Sequence, residues 1–136
     1  MSALAVSDAP ARAVAAGSVV SLLRLEGAVV LAAAAAAYVF VGGSWPLFAL
    51  LLLAPDVAMI AYRVGPVVGA AAYNAAHTYL APAALGALGL ALAAPPLQAL
   101  ALIWFAHIGL DRALGYGLKY ASGFGETHLG RIGRSA

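Results

Sequence analysis

The sequence predicts an all-α fold, a four-helix transmembrane bundle running up-down-up-down with both ends on the cytoplasmic side, and three observations predict it. Hydrophobic residues fill 65% of the 136 positions and charged residues 9%, with a mean hydropathy of +0.98. Seven Lys and Arg with five Asp and Glu cannot clothe a soluble core of this size, so lipid must cover most of the surface. The apolar residues fall into four segments near the length of about 20 helical residues that crosses about 30 Å of hydrocarbon, and uncharged connections alternate with basic ones.

The first span reads from Val19 to Val41, alanine-rich, and ends in Tyr38 and Phe40 before Gly42 and Gly43. Ser44 can cap the second, which has Trp45 at the interface and Pro46 in its first turn, and runs to Tyr62 before the turn at Arg63, Val64 and Gly65. Pro66 opens the third, which continues to Ala93 with Pro82 expected to kink it near the middle, and Pro95 and Pro96 stop it. The fourth runs from Leu97 to Gly117. Short turns make sequential helices antiparallel. Residues 1–18 lack a continuous apolar core and read as a mobile cytoplasmic tail rather than a cleavable signal peptide; 19–117 is the transmembrane domain, and 118–136 a cytoplasmic, glycine-rich basic segment. Tyr38, Phe40, Trp45, Tyr62, Tyr116 and Tyr120 suit interfacial aromatic belts. Gly65 and Gly69 form a small-xxx-small pair of the kind that brings helices together.

Net charge +2 and a pI near 9.2 raise the question of nucleic acid, but the cations are scattered and form no basic stripe, so no nucleic-acid partner is expected. The absence of cysteine excludes disulfides, thiolate ligands and a cysteine nucleophile.

Polar side chains inside the spans carry the functional signal, because a charged group at mid-bilayer costs at least about 2.5–3.5 kcal/mol. Glu26 lies in the first span, Asp56 in the second, Asn74 and His77 in the third, His107 and Asp111 in the fourth. Counting about 1.5 Å per residue from the cytoplasmic ends places them at related depth. Asn74 and His77 are i,i+3, and His107 and Asp111 i,i+4, so each pair shares a helical face. Imidazoles and carboxylates at one level are ligands for divalent metals, Zn, Fe or Mn. His77, His107 and Asp111 are the candidate metal ligands, with His128 of the C-terminal segment able to fold over as a third imidazole. Glu26 and Asp56 are candidate bases, and Arg24, Arg112, Asn74 and Tyr73 candidate substrate-binding groups, the arginines for an anionic headgroup. The structural reading stands beside this one: Asp111 pairs with Arg112 or Arg24, Glu26 with Arg24 or Arg63, and His77 with Asn74 or a carbonyl freed by Pro82, all serving helix packing.

The segments LLRLEG at Leu22 to Gly27, APD at Ala54 to Asp56, YNAAHTY at Tyr73 to Tyr79, HIGLDRALGYGLKY at His107 to Tyr120 and THLGRIG at Thr127 to Gly133 together resemble a family of small bacterial four-helix membrane proteins classed as a domain of unknown function. The resemblance implies a multi-pass protein of a bacterial inner membrane and adds no chemistry.

Two functions follow from the residues. One is a membrane-embedded metal-dependent enzyme, a hydrolase acting on a lipid or amphiphile near the cytoplasmic leaflet. The other is a non-catalytic membrane subunit, scaffold or proton relay, in which the polar layer fixes packing. A dense-histidine di-iron enzyme does not fit three histidines, and a transporter would need oligomerisation. Expected partners are membrane lipid and a homo-oligomer or larger membrane complex.

Overall fold

The computed structural model describes residues 9–132, with side chains from residue 17 onward. It is mostly helical: α1 (Ala9–Phe40), α2 (Trp45–Leu51), a 3₁₀ segment (Ala54–Arg63), α3 (Pro66–His77), α4 (Leu80–Ala91) and α5 (Pro95–Leu114), followed by the short strands β1 (Glu126–Thr127) and β2 (Gly130–Arg131). Three stretches, Gly17–Phe40, Trp45–Arg63 and Pro95–Leu114, are long and apolar enough to cross a membrane. Helix α1 already includes Ala9, and the remainder of the expected N-terminal tail, residues 1–8, lies outside the described residues, as do 133–136.

The second stretch changes character at Pro55. A proline there removes the amide that would bond the Leu51 carbonyl, so α2 stops and the chain continues with the tighter 3₁₀ pitch. Asp56 stands in the first turn of that segment.

The third expected helix departs from its sequence reading. It is two helices of 12 residues each, broken at Thr78, where φ −91° and ψ 144° are extended. Pro82 accounts for the place of the break. A proline ring clashes with the carbonyl four residues back, here that of Thr78, so Pro82 is accommodated in the first turn of α4, where its missing N–H is not needed. Each piece is about 18 Å long at about 1.5 Å per residue, too short to span alone.

Helix α5 is the centre. Helix α1 runs antiparallel to it, with Arg24 reaching Ala113 and Gly27 lying against Gly109, Arg112 and Ala113. At the crossing a Cβ on Gly109 would stand 2.7 Å from the Leu31 nitrogen and 2.8 Å from the Gly27 carbonyl oxygen, so only glycine fits. Helix α4 packs antiparallel on the other flank of α5, where Gln98 donates to the Gly89 carbonyl at 3.1 Å. Helix α3 packs back on the 3₁₀ segment, and there Gly69 of the small-xxx-small pair lies against the Tyr62 ring. Ala34, Tyr38, Phe48, Ala99, Ile103 and Ala106 form the apolar core at the far end. Tyr38, read from the sequence as an interfacial aromatic, is instead fully buried there, its hydroxyl donating to the Ser44 carbonyl at 2.8 Å.

After α5, Gly115 takes the left-handed conformation (φ 96°) and turns the chain back. The strands pair antiparallel, Lys119 bridges to Thr127, and this small hairpin returns to the bundle.

Candidate metal centre

The break after α3 leaves carbonyls without helical partners, and in a low-dielectric interior these must be satisfied. Side chains of α5 do so: Trp104 donates its indole N–H to the Ala76 carbonyl at 2.7 Å, and Arg112 donates to the His77 carbonyl at 3.1 Å. The end of α3 is thereby held against the polar face of α5, and His77, its last residue, points across it.

Four side chains meet at this junction. His77 Nε2 lies 3.0 Å from His107 Nε2, 3.3 Å from Asp56 Oδ1 and 3.4 Å from Asp111 Oδ2, while His107 Nε2 lies 3.5 and 3.7 Å from the same two oxygens. One donor atom from each residue falls within 4.8 Å of every other, close enough to hold a metal ion. Donors at about 2.0–2.1 Å on a tetrahedral ion stand about 3.3–3.4 Å apart, a length that the five separations including a nitrogen, 3.0–3.7 Å, bracket. Both histidines are buried, at 2% and 0% exposure, whereas the side chains of Asp56 and Asp111 retain 29% and 15%.

The surroundings orient these donors. His77 Nδ1 is 2.8 Å from the Tyr73 carbonyl, which only accepts, so Nδ1 carries the hydrogen and Nε2 presents its lone pair to the cluster. The Tyr73 ring stacks on the His77 ring at 3.7 Å, and its hydroxyl donates to Asp111 Oδ2 at 3.0 Å. His107 Nδ1 is buried without a hydrogen-bond partner.

The other residues singled out in the sequence lie elsewhere. Glu26 is exposed on α1 and lines a separate groove with Tyr79, Arg112 and His128; it is the residue before Gly27 of the close crossing, and its side chain lies outside the metal-ligand cluster. His128 is kept from the cluster by the hairpin's own bonds, its Nδ1 accepting the Leu118 N–H at 2.8 Å, with Arg112 Nη1 3.3 and 3.4 Å from its ring nitrogens. Asn74 makes a reciprocal pair with the Lys119 backbone, donating to its carbonyl at 2.8 Å and accepting its N–H at 2.7 Å. Arg24 donates to the Ala113 carbonyl at 2.9 Å at the end of α5.

Sequence reasoning overlooked Lys119. It is 3% exposed, donates to the Phe124 carbonyl at 3.0 Å, and stands 4.7 Å over the Tyr73 ring and 3.7 Å over that of Phe124. As the chain's sole lysine, set in a glycine-rich tail, it carried a signal that was there to be read. Burial pulls Lys119 below the usual lysine range, opposed by the charges of Asp111 and Asp56. Burial, and then the charge of Arg112, likewise lowers His128, so its ring is neutral at pH 7.

The chain matches a family described as a domain of unknown function (DUF4260) over residues 20–132, and it belongs to that family. No curated protein and no solved structure matches it.

Proposed function

We propose that this member of the DUF4260 family is a membrane-embedded, metal-dependent hydrolase acting on a lipid or other amphiphile, with Asp56, His77, His107 and Asp111 as its metal-binding set. The observation that carries this reading is the near-tetrahedral spacing of two imidazole nitrogens and two carboxylate oxygens, 3.0–3.7 Å for the five pairs that include a nitrogen. Zinc, iron or manganese suits that donor set. A divalent ion held there supplies a Lewis acid and lowers the pKa of a bound water.

The chain's own residues divide the remaining work. His77, His107 and Asp111 are the most enclosed donors and serve as the fixed ligands, with Tyr73 holding Asp111 from behind. Asp56 is the most exposed of the four and enters from the 3₁₀ segment, so it is placed to take a proton from a nucleophilic water. A largely apolar cavity of about 440 Å³ is lined by Ala54, Pro55 and Ala76, the sequence neighbours of Asp56 and His77, and by Trp104 one turn from His107; it suits the hydrocarbon part of a substrate. In this reading α3 and α4 are two half-helices that together make a fourth crossing of a bacterial inner membrane. A discontinuous helix whose C-terminal end faces a cation site is an established membrane device. Both termini then lie on the cytoplasmic side with Arg63 and the basic ends.

One observation favours a second reading. The 3.0 Å contact between His77 and His107 is also the length of an imidazole–imidazole hydrogen bond, as a proton relay or packing layer in a non-catalytic subunit would use. Elemental analysis of untagged, detergent-purified protein separates the two, with a His77→Ala, His107→Ala double variant checked for helicity. The metalloenzyme predicts near-stoichiometric Zn, Fe or Mn in the natural protein and its loss in the variant. Metal-free protein after chelator-free purification would instead leave the relay.

A further inference from the structure

We infer that the groove between α1 and the C-terminal end of α5 binds an amphiphile with an anionic oxygen group, its phosphate or carboxylate on the Arg112 guanidinium and its acyl chain along Leu22, Leu25 and Val29. This inference stands on Arg112 and the groove alone and does not need the metal.

Among the described residues Arg112 has no carboxylate in direct contact. It is 9% exposed, and its partners are the His77 carbonyl, the His128 ring and the Tyr79 side chain, none of them a carboxylate. Among the described residues no carboxylate oxygen lies within 4.0 Å of it, and its neighbour Asp111 is turned away toward Tyr73, His77 and His107. A guanidinium withdrawn from water beside lipid calls for an anion, and its planar fork suits two oxygens of one phosphate or carboxylate.

The cavity beside it has the shape such a ligand needs. The groove encloses about 630 Å³ and is lined at one end by Arg112, His128 and Tyr79 and along its length by apolar side chains of α1. Leu22, Leu25 and Val29 are 58%, 61% and 61% exposed, so the groove opens sideways to the lipid phase and a chain can enter without leaving it. Glu26 lines the same groove without an ion-pair partner among the described residues and opposes a second negative charge, which selects a singly anionic head.

The test is lipid retention by the full-length protein in nonionic detergent, read by native mass spectrometry with equal dioleoylphosphatidylglycerol and dioleoylphosphatidylcholine, and separately with oleate. At least tenfold preferential retention of an anionic amphiphile over the choline lipid is expected. Phosphatidylglycerol alone identifies a phospholipid as the occupant, and oleate alone a fatty acid. Arg112→Gln should abolish the preference, but it also weakens the hold on the His77 carbonyl. Val29→Trp fills the groove from an exposed position, and it should lower anionic retention at least tenfold with the thermal midpoint and metal content unchanged. Glu26→Gln should raise retention severalfold. Equal retention of the choline lipid, unaltered retention in Val29→Trp, or weaker retention in Glu26→Gln would each overturn the assignment. Metal content, measured on the same samples, reports on the metal centre independently.

Discussion

Helices α1 and α5 form one kind of helical structure, and the segment from Trp45 to Ala91 forms another. The first pair is continuous and joins through glycine, backbone on backbone, with every carbonyl of the helix interiors committed to its own helix. The second is interrupted at Pro55 and at Thr78, and the carbonyls freed at Thr78 are met by Trp104 and Arg112 from the first. The difference teaches where polar chemistry can sit among apolar helices. An unbroken helix pair tolerates little besides small residues at its contact, whereas a broken helix already requires donors nearby and so assembles a polar layer.

The largest expected effect lies in the continuous pair. Gly109→Val puts a branched side chain where the Leu31 nitrogen would stand 2.7 Å from its Cβ, and neither backbone can yield. It should cost about 3 kcal/mol or more, at or above the upper end for overpacking, and appear as a steep fall in the thermal midpoint or as loss of monodisperse protein. Retention of the natural midpoint would mean that the two helices are not held at this crossing.

Within the interrupted segment the effect should fall on the site while the fold persists. Tyr73→Phe removes only the hydroxyl that bonds Asp111 at 3.0 Å, and loss of such an outer hydrogen bond typically weakens a metal site by about 10–100-fold. Competitive titration with a zinc chelator would measure it, and an unchanged affinity would remove Asp111 from the ligand set.

The smallest effect should come from acid. The folded-state pKa of His128 lies below the ordinary histidine value of about 6.5, because of burial first and the Arg112 charge second. The unfolded chain therefore takes up this proton more readily. The stability that neutral His128 contributes is fully present above about pH 6.5 and is lost as pH falls from there through the lowered value. Protonation turns the acceptor of the Leu118 N–H into a cation beside Arg112, with only Glu26 among the groove's lining residues to offset it. The loss is about the 1 kcal/mol of one hydrogen bond and should show as faster amide exchange at Leu118 in mild acid, absent in His128→Asn.

Much of the candidate site was legible in the residues. Asp56, His77, His107 and Asp111 stand out because ionisable groups inside apolar spans are rare, and i,i+4 spacing alone puts His107 and Asp111 on one face. Depth along the helices, however, cannot say which way a side chain faces. Glu26 sits at similar depth and still looks into the groove, since the α1–α5 crossing at Gly27 sets the rotation of α1. His128 shares the imidazole chemistry of His77, but its ring is claimed by the Leu118 amide within its own hairpin.

The sequence by itself determined that the protein is helical, that several of its segments are long and apolar enough to cross a membrane, and that Pro82 would disturb the third of them. These follow from local chemistry, from hydropathy over a window of residues and from an amide that proline lacks. Tertiary structure alone decided that the break at Thr78 would close against Trp104 and Arg112, and that Asp56 from the 3₁₀ segment would meet His77, His107 and Asp111 within 4.8 Å. Such convergence depends on the relative rotation and offset of helices, set by glycine contacts and freed carbonyls far apart in the chain, which no local pattern encodes.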